Sequence, residues 1–284
     1  MNAFDEAGIK LIALSYDEPD ALQDFANSHN ITYILLSDPN SEIISQFGIL
    51  NTLIAEDDHP WFGIPFPGTY VVNNKGVITH KFFENNLAVR PGPEQLLRAS
   101  LGKSFELDGT VLADDNLPTQ TEAEVFLDGQ HLALTVQRDI VARIKVPNGR
   151  HIYANPAPDG MVGVNIELDA NPGLVLRTVQ QPVSDTHQLA NTTEQFQVFH
   201  NTVELRLPVT TNSAALGKDK LTISGTLRWQ TCDEDVCDVP SRHRFEFTVP
   251  LAEPVLPAAV ANAPGAVKEP NMPGHFKKMT TRRG

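Results

Sequence analysis

The residues of this 284-residue chain best suited to chemistry are its two cysteines, Cys232 and Cys237, in the stretch TLRWQTCDEDVCDVPSRHRFEF. Four intervening residues can fold as a hairpin loop and bring the two Cα atoms to disulfide distance, about 5.5–6 Å. A ring this small contributes little to stability, because loop-closure entropy grows with ring size. The predicted setting, a strand running into Cys232 and a return starting at Val236, is a solvent-reachable rim suited to exchange with a partner thiol. Asp233, Glu234, Asp235 and Asp238 crowd the pair. Carboxylates oppose thiolate formation, so neither cysteine is expected to be a low-pKa attacking group. The pair suits attack, as a disulfide, by an external thiolate, with the acids docking a basic partner surface. The competing reading is an inert disulfide in a solvated acidic turn. A zinc site would need two more ligands, and His243 is the only other candidate close in sequence; no cofactor is expected.

Composition narrows the partners. The formal net charge of −13 argues against nucleic acid and anionic membranes, which repel acid. No stretch approaches the roughly 18 apolar residues of a transmembrane helix, so no membrane insertion is expected. Asp5 and Glu6 stand where an export signal would be basic, and the apolar run from Ile9 to Leu14 is short and interrupted by Lys10. On these grounds no export signal is expected. Hydrophobic residues make up 41% of the chain, enough for a sizeable core, and the length suits about two domains.

The elements change character along the chain. Ile9–Leu14 reads as a buried strand and Tyr33–Leu36 as another apolar strand, and Pro19–His29 and Pro39–Phe47 as helices, the second stopped by Gly48. Thr69–Val72 and Val77–Phe83 read as a hairpin around Asn73-Asn74-Lys75-Gly76, and Pro93–Leu101 as a closing helix. This alternation predicts an α/β sheet with mixed pairing. Residues 104–120 lose the rhythm and read as a linker. From Thr121 short alternating runs recur: Glu122–Leu127, His131–Gln137, Val141–Val146, Val162–Leu168, Val203–Val209, Leu221–Trp229 and Arg244–Val249. Turn residues separate them, which predicts an antiparallel, immunoglobulin-like β-sandwich over 121–252. The tail, 253–284, is rich in proline and alanine, ends in basic residues and is expected to be disordered.

Two resemblances follow from particular stretches. GIKLIALSYDEPDALQDFANSHNITYILLSDPNSEIISQFGI, followed by GIPFPGTYVVNNKGVI, resembles the second half of the AhpC/TSA peroxiredoxin (redoxin, thioredoxin-like) family. The resemblance implies a cis Phe66–Pro67 bond and a supporting role for Pro67. It also implies a peroxidatic cysteine at a helix N-terminus, where a thiolate is stabilised, but no cysteine precedes Cys232. Residues 1–103 are therefore expected to be a truncated redoxin segment with no peroxidase activity. His59, Trp61 and Phe62 are read as loop packing beside the former active-site region.

VPNGRHIYANPAPDG, VELRLPV and LRWQTCDEDVCDVP together resemble the N-terminal domain of the thiol:disulfide interchange protein DsbD family. That domain is an immunoglobulin-like sandwich whose cysteine pair passes electrons in the bacterial periplasm. The resemblance implies that Cys232 and Cys237 are a redox pair whose partner is thioredoxin-like or another thiol-redox protein. The family shields its cysteines with an aromatic cap loop. Phe196 and Phe199 fall in the corresponding region, in a different motif.

The leading expectation is a thiol-disulfide oxidoreductase that passes electrons through a surface cysteine pair. The alternatives are a partner-binding sandwich with a structural disulfide, or a fragment of a full peroxiredoxin fusion with antioxidant activity. The compartment stays open: cytoplasmic if the chain is complete as given, periplasmic by resemblance of the second domain.

Overall fold

A computed structural model describes residues 2–54, 63–102, 117–188 and 193–253. His59, Trp61, Phe62, most of the 104–120 linker and nearly all of the tail lie outside the described residues. The chain forms two compact units, residues 1–69 with 83–87, and residues 70–82 with 88–254.

The first unit holds α1 (Asn2–Glu6), β1 (Ile12–Ser15), α2 (Pro19–His29), β2 (Ile34–Ser37) and α3 (Glu42–Gln46). Pro19, the first residue of α2, has the φ a helix start needs and lacks only an N–H that would go unpaired there. Asn30 ends the helix in the left-handed conformation, donating its backbone N–H to the Ala26 carbonyl. β1 and β2 pair in parallel, Ile12 opposite Ile34 and Leu14 opposite Leu36. The Asp38 carboxylate accepts the backbone N–H groups of Glu42, at 3.0 Å, and Ile44, at 2.8 Å. This tethers the start of α3 and buries Ile44 completely. The predicted α/β alternation is thus present. Among the described residues the one cis peptide bond is Asn155–Pro156. The Phe66–Pro67 bond is trans, which corrects the expectation of a cis proline before the hairpin.

That hairpin, β3 (Gly68–Val72) and β4 (Ile78–Phe83), forms as predicted, with the Asn73 side chain accepting the Lys75 and Val77 N–H groups at 3.0 Å each.

In the second unit, β5 (Arg90–Pro91) and α4 (Pro93–Ser100) precede a β-sandwich. Its strands are β6 (Glu122–Asp128), β7 (Val136–Lys145), β8 (His151–Tyr153), β9 (Asn165–Leu168), β10 (Leu174–Leu176), β11 (Asp185–Gln188), β12 (Gln195–Phe199), β13 (Thr202–Thr211), β14 (Lys220–Trp229), β15 (Thr231–Cys232) and β16 (Ser241–Pro250). β7 is the hub of one sheet: β13 pairs antiparallel on one side, extended by β10, and β6 and β5 pair with it on the other. β16–β14–β9 make a second sheet and β11–β12–β8–β15 a third. Alternate residues of the long strands point inward. Ile140 and Ile144 of β7, Leu205 of β13, Ile223 and Leu227 of β14 and Ile152 of β8 are all buried in one core. Burying each such side chain contributes about 1.5–3 kcal/mol.

The outward face of β7 is buried too, and this explains α4. Gln95 donates to Asp139 at 2.9 Å, Arg98 pairs with Asp139 at 3.1 Å and with Asp128, and Arg138 pairs with Glu94. Arg206 of β13 joins at 2.8 Å from Asp128 and 3.5 Å from Asp139. Burial pushes the Asp139 carboxyl above its ordinary value, against the pull of Arg206 and Arg98. Burial also pushes Asp128 up, but the bonds and charges of Arg98 and Arg206 outweigh it and hold that carboxyl below its usual range. Gly92, before α4, admits no side chain: a Cβ there would lie 2.4 Å from the Gln137 carbonyl oxygen. The helix predicted to close the first segment thus packs within the second unit.

The runs predicted at His131–Gln137 and Val141–Val146 prove to be a bridged approach and one long strand, β7. Among the strands that sequence periodicity did not single out are β8, β11 and β12 of the small third sheet; the strand predicted to run into Cys232 is its β15.

Candidate functional site

The third sheet carries the cysteines. Its strands are two to five residues long, too short for periodicity of their own, and they are held by pairing. Cys232 lies opposite His151 and Thr231 opposite Ile152. Tyr153 lies opposite Val198, and Phe199 opposite Ile152. His187 of β11 lies opposite Phe196 of β12. Because successive side chains alternate, Ile152 and Phe199 enter the main core. The opposite face presents Cys232, His151, Tyr153, Val198, Phe196 and His187.

After Cys232 the chain turns. Asp233 donates its N–H to the Val236 carbonyl at 3.0 Å, Asp238 donates to the Thr231 carbonyl at 2.8 Å, and Cys232 and Cys237 become antiparallel bridge partners. They form a disulfide with Cα atoms 4.0 Å apart. This is closer than the expected 5.5–6 Å, because directly opposed residues of an antiparallel pair approach to about 4.5 Å when they share no ladder bonds. The Gln230 side chain fixes the hairpin base, accepting from the Val162 N–H at 2.9 Å and donating to the Asp238 carbonyl at 3.0 Å.

The two cysteines differ in exposure. Cys232 is 1% exposed, packed with Tyr153 and Val198, whereas Cys237 is partly exposed at the edge of that cluster with Phe196 and Ala157. β8 and β12 cover Cys232, and Cys237 is the more exposed of the two. Of the two aromatics considered for the shield, Phe196 packs beside the disulfide and sets its ring edge-on to Tyr153 at 6.1 Å, while Phe199 belongs to the main core.

The acids are more structural than their spacing suggested. The Asp233 carboxylate accepts the N–H groups of Asp235 at 3.0 Å and Val236 at 2.8 Å. These two bonds, above all, hold its carboxyl below the usual range. Asp238 pairs with Arg150 at 2.9 Å. Glu234 lies 4.0 Å from His187 Nε2, and Asp235 is exposed. Pro67 stands outside this group, in the first unit before β3. His243 lies on β16 opposite Leu227. Among the described residues, no group of three or more His, Cys, Asp or Glu is arranged to hold a metal ion.

Sequence reasoning missed three histidines. The His151 ring is 4.7 Å from that of His187 and 5.9 Å from that of His200. They come from three segments scattered over fifty residues, so nothing local announces them. The alternation of His151 and Tyr153 within HIY was the available signal.

With this geometry in hand, two family models match the chain. Residues 1–81 match the AhpC/TSA family, and residues 122–249 match the thiol:disulfide interchange protein DsbD, N-terminal. Among solved structures, the reduced N-terminal domain of DsbD from Neisseria meningitidis is 16% identical, aligned over 49% of this chain and 97% of that one, with a TM-score of 0.32. The N-terminal periplasmic domain of ScsB from Proteus mirabilis is also 16% identical, aligned over 49% of each chain, with a TM-score of 0.33. A search of curated proteins gives no match. Among the described residues, no helix is long and apolar enough to cross a membrane. Residues 1–81 are thus similar to the AhpC/TSA family, and the β-sandwich over 122–249 is similar to the DsbD N-terminal domain.

Proposed function

We propose that this protein passes electrons by thiol-disulfide exchange through Cys232 and Cys237, with a thioredoxin-like or other thiol-redox protein as partner. The observation that supports this reading is the unequal exposure of the two cysteines: Cys237 is partly exposed and Cys232 is buried. On this reading an incoming thiolate attacks Cys237, the more exposed residue, and Cys232 is the leaving group. Exchange proceeds through such a mixed disulfide. The two family matches support thiol-disulfide redox activity as the general setting. By the same likeness, the sandwich would work in a bacterial periplasm. The AhpC/TSA-type segment has no cysteine of its own, so these 284 residues would not consume peroxide by that family's chemistry.

The competing reading is a binding sandwich with a structural disulfide, and trapping decides between them. In the full chain with Cys232→Ser, Cys237 should form a disulfide-linked complex with a thioredoxin-like protein lacking its resolving cysteine. A variant that forms no such complex, together with a wild-type disulfide that no thioredoxin-like protein reduces, would leave the structural reading in place.

A further inference from the structure

His151 is 3% exposed, and its Nε2 is buried without a hydrogen-bond partner. A buried, unpaired imidazole nitrogen is disfavoured by lost hydration. This one stands across the β8–β15 ladder from Cys232. Directly opposed residues carry their side chains on the same face, with Cβ atoms about 4.5–5.5 Å apart. Tyr153, which packs against Cys232, also sets its ring edge-on to His151 at 5.5 Å. The orphaned nitrogen therefore belongs to the residue nearest in register to the enclosed sulfur.

We infer that His151 is the proton partner of Cys232, taking up a proton when the disulfide opens and returning it when the disulfide closes. This rests on the exchange reading above. A thiolate of a partner dithiol attacks Cys237 Sγ. A partner–Cys237 S–S bond forms, the Cys232–Cys237 bond breaks, and the electron pair stays on Cys232 Sγ. A thiolate so enclosed is disfavoured unless a positive charge or a proton accompanies it. His151 takes a proton from water and presents it to that sulfur. The partner's second thiolate then attacks the partner's own sulfur in the mixed disulfide, and Cys237 leaves and is protonated. In sum, one partner dithiol is oxidised to a disulfide, and the domain takes up two electrons and two protons.

The groups facing His151 set its resting state. They are Tyr153 on its own strand and Arg150 just before it, His187 from β11, His200 after β12, and Asp233 from the cysteine turn. Burial first, then His187 and His200, lower the imidazole to about 4, while Asp233 raises it. At pH 7 the ring is therefore neutral while the disulfide is closed. An anion arriving on Cys232 favours the charged imidazolium, so the sign of the change on reduction is upward.

The decisive experiment follows the histidine rings of the full wild-type chain by NMR through a pH titration, first oxidised and then reduced with a phosphine. His151 should titrate near 4 when oxidised and at least about one pH unit higher when reduced. In parallel, His151→Gln should slow reduction of the disulfide by dithiothreitol about 5–10-fold near pH 7, because the departing thiolate loses its proton partner. The oxidised variant should keep the wild-type melting temperature. If His151 titrates alike in both redox states, the inference is overturned, and that titration decides the matter even if the variant fails to fold. Neither reagent is a protein, so absent exchange with thioredoxin-like proteins would overturn the relay alone. Exchange with such a protein beside an unmoved His151 would overturn this inference alone.

Discussion

Ile44 and Ile144 are both fully buried, yet they sit in units of different build. Ile144 belongs to β7, which has paired strands on both sides, a packed inner face and α4 over its outer face. Among the described residues of the first unit, β1 and β2 pair with each other alone. Their apolar side chains stay open: Ile12 is 58% exposed, Ile34 52% and Leu36 45%. Similar apolar strands thus end in opposite environments. A parallel pair normally has both faces covered, and two strands are too few to enclose anything. The unit that closes its core is also the one that carries the cysteines.

The largest difference to test lies within the site. With Cys232→Ser, the remaining Cys237 thiol should react with iodoacetamide at least about tenfold faster than the Cys232 thiol left by Cys237→Ser, because access governs the reaction. Either variant should abolish reversible exchange. Equal alkylation rates would remove the asymmetry on which the mechanism depends.

Core truncation sharpens the contrast between units. Ile144→Ala should destabilise the sandwich by about 2–5 kcal/mol, read as a lower melting temperature of the unit that carries the disulfide. Ile44→Ala should leave the rate of disulfide reduction by dithiothreitol unchanged. A matching loss of exchange in Ile44→Ala would show that the first unit supports the site.

Of similar size is the ion-pair group under α4. Asp139→Asn removes the more buried of the two carboxylates that Arg98 and Arg206 share, leaving Asp128. Breaking a buried pair from one side costs about 3–5 kcal/mol, so denaturant unfolding of the second unit should shift accordingly. A loss below about 1 kcal/mol would mean that this network behaves as an exposed one.

The smallest effect is on the surface. Arg244 and Ser224 hold the Asp169 carboxyl down at about 2. A carboxylate depressed in the folded state contributes stability above its unfolded value, near 3.9. That contribution is lost as pH falls through about 2. Asp169→Asn should therefore melt slightly below wild type at pH 6, with the gap closing between pH 4 and 2. A gap independent of pH would assign the difference to something other than this charge.

The parts of the molecule legible in the sequence are those with local causes. Helix α2 was readable from Pro19 and the acids beside it, and β14 and β16 from the alternating runs Leu221–Trp229 and Arg244–Val249 within them. The cysteine hairpin was readable because its partners are five residues apart. The sheet around it was not, since His151–Tyr153 and Thr231–Cys232 are too short to show a period and are ordered by strands far along the chain. The same holds for α4, whose sequence gives the helix, while its attachment depends on Asp128, Asp139 and Arg138 more than 25 residues later. The burial of Cys232 likewise comes from Tyr153 and Val198, on strands that periodicity does not reveal.

The central claim is that Cys232–Cys237 exchanges electrons with a partner, and the reduction potential of the pair tests it most directly. Equilibrating the full chain with a thioredoxin-like protein of known potential, and quantifying both redox forms, gives that value. A potential above about −300 mV, reached reversibly, is the predicted result for an exchanging disulfide. A value below about −300 mV, with no exchange on the time scale of the experiment, would mark the bond as structural and contradict the account.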